Sequence, residues 1–532
     1  METTCTYLPY KSTGAFSAIV NDYLEEDEKL KPFYASPSTL DGILKAIEQR
    51  KNTQNNRALL VDQLRKQYAT LTLTSLQENY LQQLLLTNSF TICTAHQPNI
   101  FTGHLYFIYK IIHAIKLADN LRSQLPGNNF IPVFYMGSED ADLDELGHIN
   151  IEGKGYKWDT QQSGAVGRMI VDKAFIHLID EMQGQLSIHP FGKDLIELFR
   201  RCYLVGTTVQ NATLTLVHEL FKSFGLLVLI PDNAELKRPF NEIVKKEILE
   251  QFSFPLVQHT IEKLSEHYKV QAGGRAINLF YLLENSRERI EKIGDKYTLA
   301  DKRKQWSKAV LLAEVEEHPE RFSANVILRG VFQEMILPNI AFIGGGGEIA
   351  YWLELKKVFE ASAVPFPVLV LRNSFMLANH PQFQLANKLG FKLEDLFATV
   401  DELMNTIVKK HNEVALSLNK QKEALQEIYL QVKHAGNAID PTLSNHVSAL
   451  EKRNLYQLKE LEKKMLRAEK RKYEAELRQL IKLKSQLFPN NNLQERVDNF
   501  AIYYSKFGPG WLISLYKHSL SLEQQFAIVE TA

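Results

Sequence analysis

Five stretches place polar or charged side chains and turn residues directly after a short apolar run, and these are where chemistry could be done. The first is Ala95-His96-Gln97-Pro98-Asn99-Ile100-Phe101-Thr102-Gly103-His104, running on to Lys110. His96 at the end of an apolar run suits a proton carrier or a donor to phosphate, or it simply hydrogen-bonds its own loop. Gln97 and Asn99 are neutral donors that could fix a substrate. Pro98 and Gly103 mark a loop, and Lys110 falls within the helix that follows, as a ligand contact or a packing group. The second stretch, Gly137-Ser138-Glu139-Asp140-Ala141-Asp142-Leu143-Asp144-Glu145, carries five acids in seven residues. They could bind magnesium, hold an ammonium or act as a general base; the alternative is an acidic helix start favoured by the helix dipole. Glu139, Asp140 and Asp142 lie nearest the run. The third is Pro231-Asp232-Asn233, in which either polar residue makes a good N-cap or a contact to a ribose or amine.

The fourth stretch is Gly344-Gly345-Gly346-Gly347-Glu348-Ile349-Ala350-Tyr351-Trp352. Four glycines permit close backbone approach and positive φ, and a following helix would aim its N–H groups at a ligand. Gly345-x-Gly347-x-x-Ala350 formally satisfies a dinucleotide fingerprint. Glu348 with Tyr351 and Trp352 instead suggests a pocket for a cationic or amino-bearing group. The fifth is Arg372-Asn373-Ser374. Arg372, and Arg168 in Val166-Gly167-Arg168-Met169, are candidates for carboxylates, with structural pairing as the alternative. Arg372 could also accept a 2′-phosphate.

The elements that would position these groups are legible as apolar runs at Phe90–Thr94, Phe130–Met136, Leu226–Ile230, Ile340–Ile343 and Val368–Leu371. Continuous runs of this length suit strands buried on both faces, and helical patterns between them fit βαβ winding. In such a sheet, ligands bind beyond the carboxyl ends of the strands. That rule selects the five stretches above. The residues from Asp41 to Leu86 read as helices, and two mostly helical insertions are expected at about 175–224 and 239–321.

From Leu396 the texture becomes a heptad. Val400, Met404, Ile407, His411, Val414, Leu418, Gln421, Leu425, Ile428 and Val432 keep steps of four and three, the seam spacing of a coiled coil. Gly436 and Asn437 are expected to end that helix, and Asp440-Pro441-Thr442 to open the next. Leu443, Val447, Leu450, Asn454, Leu458, Leu461, Met465 and Ala468 form the second stripe, so an antiparallel hairpin is the simplest arrangement. The basic run Lys463 to Lys472 is a solvated face or an anion site. The expected organisation is an α/β parallel-sheet core over 1–392, a coiled-coil domain over 393–487 and a tail over 488–532 that packs on the core.

The composition excludes several classes. Lys plus Arg equals Asp plus Glu at 62 each, which disfavours a generic nucleic-acid binder. Three scattered cysteines, Cys5, Cys93 and Cys202, fit a reducing compartment without a disulfide framework. No C-x-x-C or H-E-x-x-H supports a metal site, and no signal segment or membrane span is evident. A cytoplasmic protein without a membrane partner is expected. The phosphate loop G-x-x-x-x-G-K-S/T and the elbow G-x-S-x-G are also missing, so kinases and α/β-hydrolases drop out.

Taken in order, the motifs resemble one family, the cysteine-adding enzymes of bacillithiol synthesis, the BshC type. The resemblance rests on His96-Gln97-Pro98 with Phe101-Thr102-Gly103 and Leu105 to Lys110, Ser138-Glu139-Asp140 with Asp142, and Gly167-Arg168-Met169. It continues through Asp232 with Glu235 and Lys237, Ile336-Leu337-Pro338-Asn339, Gly344 to Trp352, and Arg372-Asn373-Ser374. His104 departs from the proline expected there. The resemblance implies a Rossmann-like core with helical connecting insertions and a coiled coil used for homodimerisation. It also implies a ligase of low-molecular-weight thiol synthesis, joining cysteine in amide linkage to glucosaminyl-malate. No synthetase signature loop is recognisable, so ATP, with or without magnesium, enters only as a hypothetical cosubstrate. On that reading His96, Glu139 and Asp140 would be catalytic. An NADP-dependent oxidoreductase and a non-catalytic metabolite-binding scaffold are the alternatives.

Overall fold

The computed structural model describes residues 3–53, 55–270, 273–411 and 417–531. The chain divides into two compact units: the residues up to Leu377 together with those from Asn492 onward, and Ala378–Asn491.

In the first unit all five apolar runs become parallel strands of one sheet: β1 (Ser89–His96), β2 (Asn129–Met136), β3 (Leu227–Leu229), β4 (Asn339–Gly344) and β5 (Val368–Leu371). The spatial order is β5-β4-β1-β2-β3. Winding proceeds outward from β1 on one side and from β4 on the other, so the order reverses between them, the point at which α/β sheets form a ligand crevice. Register brings the strand ends level: His96 pairs with Met136, and Gly344 with Leu371. The strands are continuous apolar runs because helices cover both faces. Phe90, Ile92, Ala114, Leu117, Phe130, Ile343 and Val370 belong to one buried cluster. Truncating such a residue, Ile92→Ala for example, costs about 2–5 kcal/mol.

The helices at Leu40–Lys51, Arg57–Gln67 and Ser75–Leu84 fill the expected N-terminal region, with Thr39, Asn56 and Thr74 as N-caps. Helices Lys173–Leu186, Gly192–Cys202 and Val209–Phe221 make the first insertion. The second insertion is not mostly helical. After helices Asn241–Glu250 and Ser253–Ser265 it forms a five-stranded antiparallel sheet from Leu279–Leu283, Ser286–Ile293, Lys296–Leu299, Gln305–Ser307 and Phe322–Ala324. Its longest strand, Ser286–Ile293, buries only Ile290, and the others are three to five residues long, so they lack the continuous apolar signature of the main sheet. A third sheet joins the chain ends: Thr3–Pro9 pairs antiparallel with Gln525–Thr531, which neighbours Ser374–Asn379. Trp511, Leu512 and Phe500 are buried in this unit. Among the described residues no helix is long and apolar enough to cross a membrane.

The second unit is helical, with helices His380–Lys388, Val400–His411, Asn419–Ile439, Leu443–Lys470 and Glu474–Leu487. Its two long helices form an antiparallel hairpin. The Lys422–Glu462 ion pair, the Asn454 Nδ2 donation to Tyr429 Oη at 2.6 Å and the approach of Gly436 to Val447 share one register. Asn454 thus specifies the seam by a cross-helix hydrogen bond. The expected helix end at Gly436 and Asn437 is wrong. The helix continues to Ile439, and Gly436 instead gives Leu443 room across the turn. Val414 lies outside the described residues. In the basic run, Lys463, Lys470 and Lys472 pair with Glu460, Asp401 and Glu469.

Candidate active site

A cleft of about 700 Å³ opens at the carboxyl ends of β1, β2, β4 and β5. Of the anticipated residues its walls include His96, Gln97, Lys110, Ser138, Glu139, Asp140, Gly345, Gly346, Gly347, Glu348, Tyr351 and Arg372. Four separate strand ends thus converge on one cavity, at the crevice that the strand order dictates.

The floor is a set of mutually neutralised charges. Lys110 is buried, donates to the Ala95 carbonyl at 3.0 Å and forms an ion pair with Glu348. Glu348 also accepts from the Gly345 N–H at 2.8 Å. Arg372 is buried and holds Glu495 through two nitrogens at 2.9 and 2.7 Å, with the Tyr106 ring 5.4 Å from its guanidinium. Glu139 is paired with Lys237 and accepts from Ser323 Oγ at 3.0 Å. Asp140 differs from the other two acids on the wall in having no lysine beside it among the described residues. It accepts from Gln97 Nε2 at 3.0 Å and from the Ala141 N–H at 2.7 Å and stands 3.9 Å from Arg287, with a third of its side chain exposed.

His96 lies against the rings of Tyr106 and Phe107, at 5.3 and 5.5 Å, with Nδ1 3.2 Å from the Gln97 carbonyl. Burial, and then the Lys110 charge, push its pKa well below the usual histidine range. The ring is therefore neutral at pH 7, carrying one N–H and one lone pair.

Several anticipated residues fall outside the walls for identifiable reasons. Arg168 is held bidentate by Asp232 at 2.6 and 2.7 Å, and Lys237 also binds Asp232. These cations keep the Asp232 carboxyl down at about 2. Both residues buttress the β3 end, and Asn233, not Asp232, caps the following helix. Asp142 caps Leu143–Leu146. Asn99 is buried beneath Gly103, whose φ of +65° and 2.8 Å Cβ clearance to Asn99 admit only glycine. Trp352 stacks on Phe342 at 4.4 Å inside the core, because its neighbour Tyr351 takes the cleft side of the helix. Asn373 is tied to His113 and to Ser519. Gly344 lies within β4, and its carbonyl accepts from Arg372 N.

None of Gly344 to Gly347 adopts positive φ, against expectation. Their value is space. A Cβ on Gly344 would come within 3.0 Å of Phe342 and Glu348, whereas Gly347 has nothing within 4 Å. The amide of Leu105, at the start of the long helix after His96, is taken by the Asp498 carbonyl at 2.9 Å.

The residue pattern did not single out Arg275, Arg287, Arg289, Arg329 and Arg496, all on the walls, nor Tyr106 and Phe280. Phe280 lies directly across from Arg289 in the antiparallel sheet, and Arg287 covers its ring at 4.0 Å. The i, i+2 spacing of Arg287 and Arg289 puts both on one face of a strand, a signal available only once that segment is read as β. Arg329 donates to Tyr351 Oη at 3.0 Å. Arg275, Arg289 and Arg496 are exposed and have no carboxylate partner among the described residues. With Lys110 and Arg372 the walls carry seven cationic side chains against three carboxylates, in a chain with no net charge. That excess of cationic side chains suits an anionic ligand.

Comparison with known proteins gives the chain a family. The family description "Bacillithiol biosynthesis BshC, N-terminal Rossmann-like domain" matches residues 1–373, and "Bacillithiol biosynthesis BshC, C-terminal coiled-coil domain" matches residues 375–531. A Flavobacterium johnsoniae protein named "Putative cysteine ligase BshC" is 39% identical over 99% of this chain and 100% of its own length. Proteins of the same name from Flavobacterium psychrophilum and Cytophaga hutchinsonii are 36% and 33% identical, covering 100% and 91% of this chain and the same shares of their own. With both domains matched and relatives aligned from end to end, the chain belongs to the BshC family of bacillithiol biosynthesis.

Proposed function

We propose that this protein is a cysteine ligase that joins the carboxylate of cysteine to the amine of glucosaminyl-malate within the cleft, forming the amide of bacillithiol. The observation that carries the reading is the gathering of His96, Asp140, Glu348 and Arg372 around one cavity whose rim holds Arg275, Arg289 and Arg496, which have no acidic partner among the described residues. The relatives' name supplies the ligase chemistry.

The wall geometry redistributes the expected roles. Arg168, Arg372 and Lys110 each have a carboxylate partner, so the malate carboxylates, or the phosphates of a nucleotide, fall to Arg275, Arg289 and Arg496. Guanidinium forks suit both anions. Amide formation in water needs an activated carboxylate. With ATP as cosubstrate, the cysteine carboxylate would displace pyrophosphate to give an acyl-adenylate. The amine would then attack the carbonyl carbon, AMP would leave, and the amine proton must be taken up. Asp140 is the base in this reading, because Glu139 and Glu348 already have lysine partners. The neutral His96 ring serves as a hydrogen-bond partner, not as a cation. The 2′-phosphate reading loses its support, since Arg372 is occupied by buried Glu495. The second unit extends the proposal to a homodimer: Ile428 and Val432 on the first stripe are 55% and 47% exposed, an apolar surface for a second copy. The setting is the cytoplasm, where these thiols stay reduced.

The test is purified protein with cysteine, glucosaminyl-malate and each candidate nucleotide, followed by mass spectrometry. Product is expected with ATP. Asp140→Asn should lower kcat by about 100-fold or more, the usual worth of a positioned base. Arg289→Ala should raise KM for one anionic substrate and leave that for cysteine unchanged. Product formation undiminished in folded Asp140→Asn and His96→Ala proteins would overturn the assignment.

A further inference from the structure

Between His96 and Tyr106, both on the cleft, the chain makes a turn in which three successive residues have positive φ: Phe101 at 48°, Thr102 at 67° and Gly103 at 65°. For a bulky and a β-branched residue this is an unfavourable region, and such strain persists only where surroundings impose it. The surroundings here are specific. Asn499, completely buried, donates from Nδ2 to the carbonyls of Phe101 at 2.9 Å and Gly103 at 2.5 Å, while its Oδ1 accepts from Ala501 N at 2.9 Å. The Val497 carbonyl lies 3.3 Å from His104 Nδ1, and the Asp498 carbonyl takes the Leu105 amide. From the other side Tyr203 Oη accepts from Phe101 N at 3.1 Å. Residues 497–499 therefore touch four of the five positions from 101 to 105.

We propose that Asn499 is a positioning residue for the reaction: it holds the strained turn that sets His96 and Gln97 against Tyr106 and Lys110. Asn499 does not line the cleft; it acts through the turn. Without its two donated bonds, Phe101 and Thr102 relax toward negative φ. The start of the helix carrying Tyr106 and Lys110 then shifts relative to the strand carrying His96. Displacements of about 1 Å at reacting groups can cost on the order of 100-fold in rate. The inference rests on the cleft being the active site.

The test compares wild type, Asn499→Asp, Tyr203→Phe, Thr102→Gly and the Asn499→Asp/Thr102→Gly pair in the ligase assay. Asn499→Asp keeps the shape and removes both donors. Its kcat should fall by roughly ten- to 100-fold while KM for cysteine stays within about threefold. Tyr203→Phe, which retains the ring packing, should show the same split with a smaller loss. Glycine at 102 tolerates positive φ at no steric cost, so the double variant should recover a substantial part of the lost kcat. A residue that merely supports the fold would lose stability without this rescue. Wild-type kcat in folded Asn499→Asp, or a double variant no faster than the single one, overturns the proposal. Should Asn499→Asp not fold, an unchanged kcat in Tyr203→Phe overturns it. A wild type that makes no product would instead remove the ligase reading beneath it.

Discussion

Glu495→Gln isolates the buried pair beneath the cleft. Arg372 and Glu495 are both buried, and two nitrogens of one meet two oxygens of the other at 2.9 and 2.7 Å. Removing one partner of such a pair leaves an uncompensated charge in a low-dielectric site, which costs about 3–5 kcal/mol. Glutamine preserves the shape and one acceptor, a bond worth about 1 kcal/mol, and Arg372 keeps its contacts to Ser374 Oγ and the Asn373 carbonyl. The expected loss is therefore about 3 kcal/mol, near the lower end of that range. Urea unfolding with linear extrapolation reads it as a lower midpoint at constant slope. Lys11→Ala is the control. Its Lys11–Glu25 pair is at least half exposed on both sides and screened by water, so its loss should leave the unfolding midpoint unchanged. The double replacement Arg372→Met/Glu495→Leu removes both charges and should be more stable than Glu495→Gln. A Glu495→Gln loss below about 1 kcal/mol, or a double variant worse than the single one, would refute the claim that charge pairing holds Arg372 in place.

Two glycines should behave oppositely. Gly347→Ala should fold like wild type, since its Cβ would meet nothing within 4 Å, and weaken nucleotide or substrate binding in calorimetry; Gly103→Ala, at φ +65° and against Asn99, should lower the melting temperature. Burial pushes the Asp498 carboxyl up to about 6 from its ordinary 3.8. Above pH 6 the folded state carries a buried charge; as pH falls through 6 it takes up a proton before the unfolded chain does, so this group's contribution becomes more favourable down to about pH 4. Asp498→Asn should therefore gain at most about 3 kcal/mol over wild type at pH 7.5, vanishing near pH 4, as measured by denaturation at both pH values. Ile428→Glu/Val432→Glu should halve the mass found by light scattering if the exposed stripe joins two copies.

The sheet was legible in the residue order because its strands are buried on both faces and read as unbroken apolar runs. Phe90, Phe130 and Ile343 needed no tertiary information. The antiparallel insertion was not, because Ser286–Ile293 presents Arg287, Glu288, Arg289, Glu291 and Lys292 around a single buried Ile290. A strand half in water carries too few apolar residues to stand out from a charged helix. The same physics divides the candidate site. Strand-end position selects His96, Asp140, Glu348 and Arg372, and all four line one cleft, since topology alone dictates where parallel strands end. It could not say which charges were already matched. Arg168 and Arg372 look as available as Arg289 in a linear sequence, and only folding brings Asp232 to one and Glu495 to the other. The residues that hold the site come from beyond the helical unit: Glu495 and Asn499 lie more than 100 positions from Arg372 and almost 400 from Gly103. A local motif can name the groups that face a ligand. The groups that fix those groups are set by closure of the chain, and here closure comes from the segment that returns to the core after Asn492.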